Sequence, residues 1–137
     1  MAQEDVEVVR AIFDAAARRD VAGVLALYAP DVVLDVSRIP HATLIGGGIY
    51  EGHDGLRAWF RAWYEPWEDL DELCDELFDA GEQVVSFVTQ RGRGLQSGAD
   101  VEIRNIAGVW TVEGGKVTRV VWFATRDEAL EAAGVPA

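Results

Sequence analysis

A carboxyl group set among hydrocarbon holds its proton more tightly than one in water, which suits it to general acid or base work near neutral pH. Asp35 is the first candidate for that chemistry, because it lies within the apolar run Val32 to Val36. A competing reading turns Asp35 outward to pair with Arg38. Arg91, Arg93 and Arg104 fall on neighbouring segments and could form one cationic patch, able to hold a substrate carboxylate or steady a developing enolate. Ion pairs on an exposed sheet or dimer face explain the same three arginines. Asn105 could donate a hydrogen bond into a cavity, or sit solvated at an edge. His41 and His53 are the only histidines and Cys74 the only cysteine. With no HExxH or CxxC spacing, neither a metal site nor a cofactor is expected. His53 reads as a turn residue, while His41 lies in a loop that could cover a cavity. Gly46-Gly47-Gly48 is not followed by Lys and Ser or Thr, so it is no phosphate loop.

These groups need elements to hold them. A first helix is expected from about Gln3 to Arg18, with Val6, Val9, Phe13 and Ala16 as its buried stripe. Asp20 can cap a second, short helix that places Val21, Val24, Leu25 and Tyr28 on one face and stops at Ala29-Pro30. The β-branched run Val32 to Val36 then reads as a strand. A third helix is expected to start near Asp54 as cap and to end about Tyr64, with Leu56, Trp59, Phe60 and Trp63 buried. Between Trp67 and Gly81 the pattern is ambiguous, since Leu70, Leu73, Cys74, Leu77 and Phe78 keep a helical spacing. Strands follow at Val84 to Arg91, Val101 to Val112 and Val117 to Ala124, separated by glycine-rich turns. Thr125 to Glu128 has the form of a capping box and opens a final helix ending at Gly134. Helices followed by an antiparallel meander give an α+β class.

Composition narrows the function classes. The 137 residues make one domain, residues 1–137, half of it apolar and long enough to bury a core. Twenty-four acids against 12 bases leave a net charge of −12, which argues against nucleic acid or an anionic membrane as partner. One cysteine and the lack of a leader-like N-terminus or a membrane-length apolar run point to a cytoplasmic location.

Four segments, IFDAAARRDVAGVLALYAPDVVLDV, YEGHDGLRAWFRAW, FDAGEQVVSFVTQRGRG and VWTVEGGKVTRVVWFATRDEALEAAG, resemble the NTF2-like superfamily and, within it, the SnoaL-like and ketosteroid-isomerase-like proteins. The resemblance implies a curved antiparallel sheet wrapped around the helices, a conical apolar cavity, and dimers through the outer sheet face. It also implies a strand, not a helix, near Leu70 to Cys74. The family's known catalytic sets do not carry over. The isomerase positions fall on Val36, Ile12 and near Ala107, all apolar. The limonene-type epoxide hydrolase positions fall near Thr89, Arg91 and Trp122, with Leu34 and Val36 at the water-holding pair. The looser requirement of SnoaL-type cyclases leaves Asp35 as base, with Arg91 or Arg104 orienting the substrate. Tyr28, Val36, Trp59, Phe60, Trp63, Phe87, Asn105 and Trp122 are expected to line the pocket, although for any single aromatic core filling comes ahead of ligand lining. The expected activity is cofactor-free acid/base chemistry on a hydrophobic small molecule, such as cyclisation, isomerisation or dehydration. The alternative is a non-catalytic ligand-binding or structural dimer.

Overall fold

The computed structural model describes residues 2–39 and 48–135; His41, Pro40, Gly46 and Gly47 lie outside them. Helix α1 spans Ala2–Ala17 and buries Val6, Val9, Ile12 and Ala15 along one stripe. It ends in a double backbone cap, with Arg19 N–H donating to Ala16 O and Asp20 N–H to Ala15 O. That cap requires a left-handed residue, and Arg19 supplies it at φ 59°. Asp20 then caps α2 (Val21–Ala26) by accepting from Gly23 N–H at 2.9 Å.

Strand β1 spans Tyr28–Asp35, so Tyr28 begins the strand and does not extend the α2 face. Pro30, expected to stop the helix, stands inside β1 instead. It sits between Tyr28 and Val33, where the pairing to the neighbouring strand slips register and a missing N–H is tolerated. Strand β2 (Ile49–Glu51) leads into α3 (Gly52–Tyr64). Glu51 occupies the cap position of α3 without a side-chain bond, so Asp54 is not the cap. It lies in the first turn and pairs with Arg57 at 3.0 Å.

The remaining chain is β3 (Trp67–Asp79), β4 (Val84–Gly94), β5 (Asp100–Glu113), β6 (Lys116–Phe123) and α4 (Arg126–Ala132). Thr125 Oγ1 caps α4 by accepting from Glu128 N–H at 3.2 Å. The six strands form one curved sheet in the order β2-β1-β6-β5-β4-β3. All neighbours are antiparallel except β1 and β6, which run parallel because β1 inserts beside the last strand of the meander.

Two bulges shape the sheet. In β3 the register to β4 shifts between Cys74 and Glu76, so the inward phase moves from Leu70 and Glu72 to Leu77. This slip produces the helix-like spacing in the sequence; pairing along β4 makes the segment a strand. In β5, Gln90 faces Ile103 and Val88 faces Ile106, leaving Arg104 and Asn105 opposite Thr89 alone. Asn105 takes the left-handed conformation that this bulge needs, at φ 61°.

Helices α1 and α3 fill the concave side of the sheet, and the main apolar cluster joins them to inward residues such as Val32, Val84 and Val120. On the convex side, α4 covers a second cluster containing Val85, Phe87, Val109 and Phe123. Among the described residues no helix is long and apolar enough to cross a membrane.

Candidate functional site

Between the concave sheet face and the helices lies a cavity of about 580 Å³. Helix α3 turns Trp59, Phe60, Trp63 and Tyr64 toward it at helical spacing, and α1 contributes Ile12, Phe13 and Ala16. β1 contributes Tyr28 and Leu34, and Val36 follows directly after the strand. Trp67, Ile106, Trp110 and Trp122 complete an aromatic wall, so all five tryptophans of the chain line the cavity. Trp59 and Trp63 stack at 5.5 Å between centroids with a 15° interplanar angle. Trp110 meets Trp122 edge-on at 5.5 Å, its indole N–H held by Ser86 Oγ at 2.9 Å. These rings pack this closely over β5 because residue 108 is glycine. A Cβ there would stand 2.7 Å from Trp110 Nε1 and 2.9 Å from Ser86 Oγ.

Three carboxylates border the cavity; Asp20 and Glu68 are exposed, and Glu72 is the one drawn out of water. Leu70 points inward from β3, and two residues later Glu72 does the same. The Tyr64 hydroxyl donates to Glu72 Oε1, and Gln90 of β4 stands directly across the strand pair from Glu72. Arg19, aimed by its left-handed backbone, donates to Leu70 O at 2.5 Å and lies 5.7 Å from the Tyr64 ring centre. Removal from water raises the Glu72 pKa; the Tyr64 hydrogen bond, the Gln90 amide and the Arg19 charge oppose that rise without cancelling it. Burial, and then the Glu72 charge, push the phenols of Tyr64 and Tyr28 upward, so both remain protonated donors. A carboxyl with a raised pKa, held by a phenol beside an amide in an apolar chamber, can take a proton and return it.

The structure places the sequence candidates in two groups. Tyr28, Val36, Trp59, Phe60, Trp63 and Trp122 stand at the cavity wall. Asp35, Arg91, Arg104, Phe87 and Asn105 do not. Asp35 alternates with Leu34 and Val36, so it faces away; its Oδ1 accepts from Ser37 N–H at 2.9 Å and from Ser37 Oγ at 2.6 Å. Its expected partner Arg38 lies instead 5.5 Å from the Phe123 ring centre. Arg91 and Arg104 both pair with Glu102, and Arg93 pairs with Asp100 at 3.3 Å, all on the exposed part of β4 and β5. Arg104 first, then Arg91, holds the Glu102 carboxyl below the usual range. Phe87 faces the convex cluster because Ser86 and Val88 on either side face inward, and Arg126 stacks 3.9 Å from its ring centre. Asn105 is exposed at its bulge. His53 sits in the first turn of α3, where its Nε2 donates to Tyr28 O at 2.9 Å. Glu72, Tyr64, Gln90 and Arg19 were missed. The signal for Glu72 was alternation: once Leu70 faces inward on a strand, Glu72 must follow.

Comparison with known proteins adds a family and a fold. A family model described as a SnoaL-like domain matches residues 9–120. No curated protein matches the chain in sequence. Among solved structures, an NTF2-like protein of unknown function from Burkholderia pseudomallei is 27% identical, with 93% of this chain and 95% of that one covered and a TM-score of 0.78. TerC co-crystallised with polyporic acid is 23% identical, covers 95% and 97%, and has a TM-score of 0.77. A protein with a ketosteroid isomerase-like fold from Catenulispora acidiphila, in complex with trimethylamine, is 17% identical, covers 95% and 94%, and has a TM-score of 0.72.

Proposed function

The chain belongs to the SnoaL-like family, and from that premise we propose that it is a cofactor-free acid/base enzyme acting on a flat, apolar small molecule. Glu72 is the base, and the observation that carries the reading is its carboxylate at the aromatic wall, bonded by Tyr64 and paired across the strands with Gln90. The ring of the substrate lies against the stacked Trp59 and Trp63. Glu72 takes a proton from a carbon next to a carbonyl, and the Tyr28 phenol is the donor available to the resulting enolate oxygen. Protonated Glu72 then returns the proton to a different atom, which completes an isomerisation, a ring closure or the loss of water. The work is done in the cytoplasm, by a pair of chains joined through the convex sheet face. Support for that pairing is Leu73, 42% exposed on β3 on the side opposite Leu70 and Glu72.

Nitrobenzisoxazole tests the base without knowledge of the natural substrate. A carboxylate takes its ring C–H proton, the C–H electrons form the nitrile, and the N–O bond breaks to release a phenolate. The rate with the wild-type protein should rise with pH as Glu72 ionises, with a midpoint above that of an ordinary carboxylate. Glu72→Gln should lower the rate by about a hundredfold while leaving the circular dichroism spectrum unchanged. Equal rates for the two proteins remove Glu72 as base. Saturable binding without any turnover favours the ligand-binding alternative.

A further inference from the structure

The cavity wall changes character from its buried to its exposed side. Tyr28, Trp59 and Trp63 are buried, whereas Arg57 and Arg61 of α3 line the same cavity and are exposed, so the two arginines stand at its opening. Residues 57, 60, 61 and 64 follow the spacing of three and four that puts them on one helix face, and all four line the cavity. Arg57 has Asp54 as partner, but that acid is fully exposed and water weakens the pair. Arg61 has no hydrogen bond or ion pair among the described residues, in a chain with twice as many acids as bases. The acids bordering the cavity do not neutralise these two cations. Asp20 accepts from Gly23 N–H as a helix cap, Glu72 accepts from Tyr64, and Glu68 forms no ion pair with either arginine. The third cation at the cavity, Arg19, is committed to Leu70 O. A guanidinium offers a fork of donors that fits a carboxylate, and its weak hydration is readily given up to one.

We propose that Arg57 and Arg61 form an anion-holding rim, so that the cavity takes ring compounds with a flat apolar body among the tryptophans and an ionised acid group at the opening. This rests on the reading of the cavity as a small-molecule site. The rim binds and transfers no proton. It also orients the ligand, because the acid stays with the arginines while the ring reaches inward toward Glu72. The net charge of −12 repels anions in general, so a preference for an acid must come from groups beside the cavity.

Three probes separate the rim from the chamber: naphthoate, its neutral amide of nearly the same shape, and naphthol, which is uncharged at pH 7 and reports on the chamber alone. Each is titrated into the full chain at pH 7 by calorimetry. In dilute buffer the wild-type protein should bind naphthoate about tenfold more tightly than the amide, the worth of a hydrogen bond between charged groups. At about 1 M sodium chloride that preference should shrink to under about threefold, because exposed charges are screened. The double variant Arg57→Gln, Arg61→Gln removes both charges and should bind acid and amide alike. Equal or weaker binding of naphthoate by the wild type overturns the rim and, with naphthol bound, leaves the cavity reading standing. A preference that survives the double substitution puts the acid elsewhere, at Arg19, and also overturns it. If none of the three binds, the inference and the cavity reading fall together. Should the double variant not fold, the salt series on the wild type decides: a preference indifferent to salt overturns the rim.

Discussion

Glu72 carries a charge in a place where water does little to stabilise it, and its cost should be measurable as stability. In the folded chain its carboxyl holds the proton more tightly than in the unfolded chain. Between the ordinary carboxylate value and the raised one, the folded state binds more protons, so stability falls as pH rises through that window. Glu72→Gln removes the ionisation. The variant should melt above the wild type at pH 8, and the gap should close near pH 4, where both side chains are neutral. A melting difference that is the same at both pH values sinks this account. At this scale the sequence misdirected attention to Asp35. That residue occupies an apolar strand, but Leu34 and Val36 on either side take the inward positions. Residue type alone did not separate the two carboxylates; strand phase did.

At the scale of elements, the cavity depends on places where regular periodicity breaks. The bulge at Cys74 to Glu76 shifts the inward phase of β3, and the bulge at Arg104 and Asn105 does the same in β5. Both give apolar residues a spacing of three, which from the sequence alone looks helical or irregular. Cap chemistry was easier to read: Asp20 and Thr125 both cap as their types and positions suggested. Asp54 failed as a cap because α3 starts two residues earlier, at Gly52. Gly108 offers the sharpest test of the aromatic wall. Gly108→Ala sets a methyl group within contact of Trp110, Ser86 and Trp122. We expect a loss of about 2 kcal/mol in urea unfolding from overpacking, together with weaker naphthol binding. Unchanged stability and affinity would mean that these rings shift freely and do not define the wall.

For the whole molecule, the pairing of two chains is the claim that solution data decide. Light scattering should give twice the chain mass of 15.0 kDa. Leu73→Asp, placed on the convex face away from the cavity, should halve that mass without abolishing naphthol binding. A monomeric wild type refutes the pairing but leaves the cavity untouched. The amino-acid sequence by itself determined the α+β class, the order of the elements and the apolar character of the chamber. Those follow from hydrophobic periodicity, turn residues and caps, which act over a few neighbours. Only the tertiary structure decided which polar groups share the chamber. Glu72, Gln90, Tyr64 and Arg19 come from two strands, a helix and a helix cap. They meet because bulges and strand pairing set the phase of each strand against its neighbour, and that phase is fixed by contacts distant in the chain.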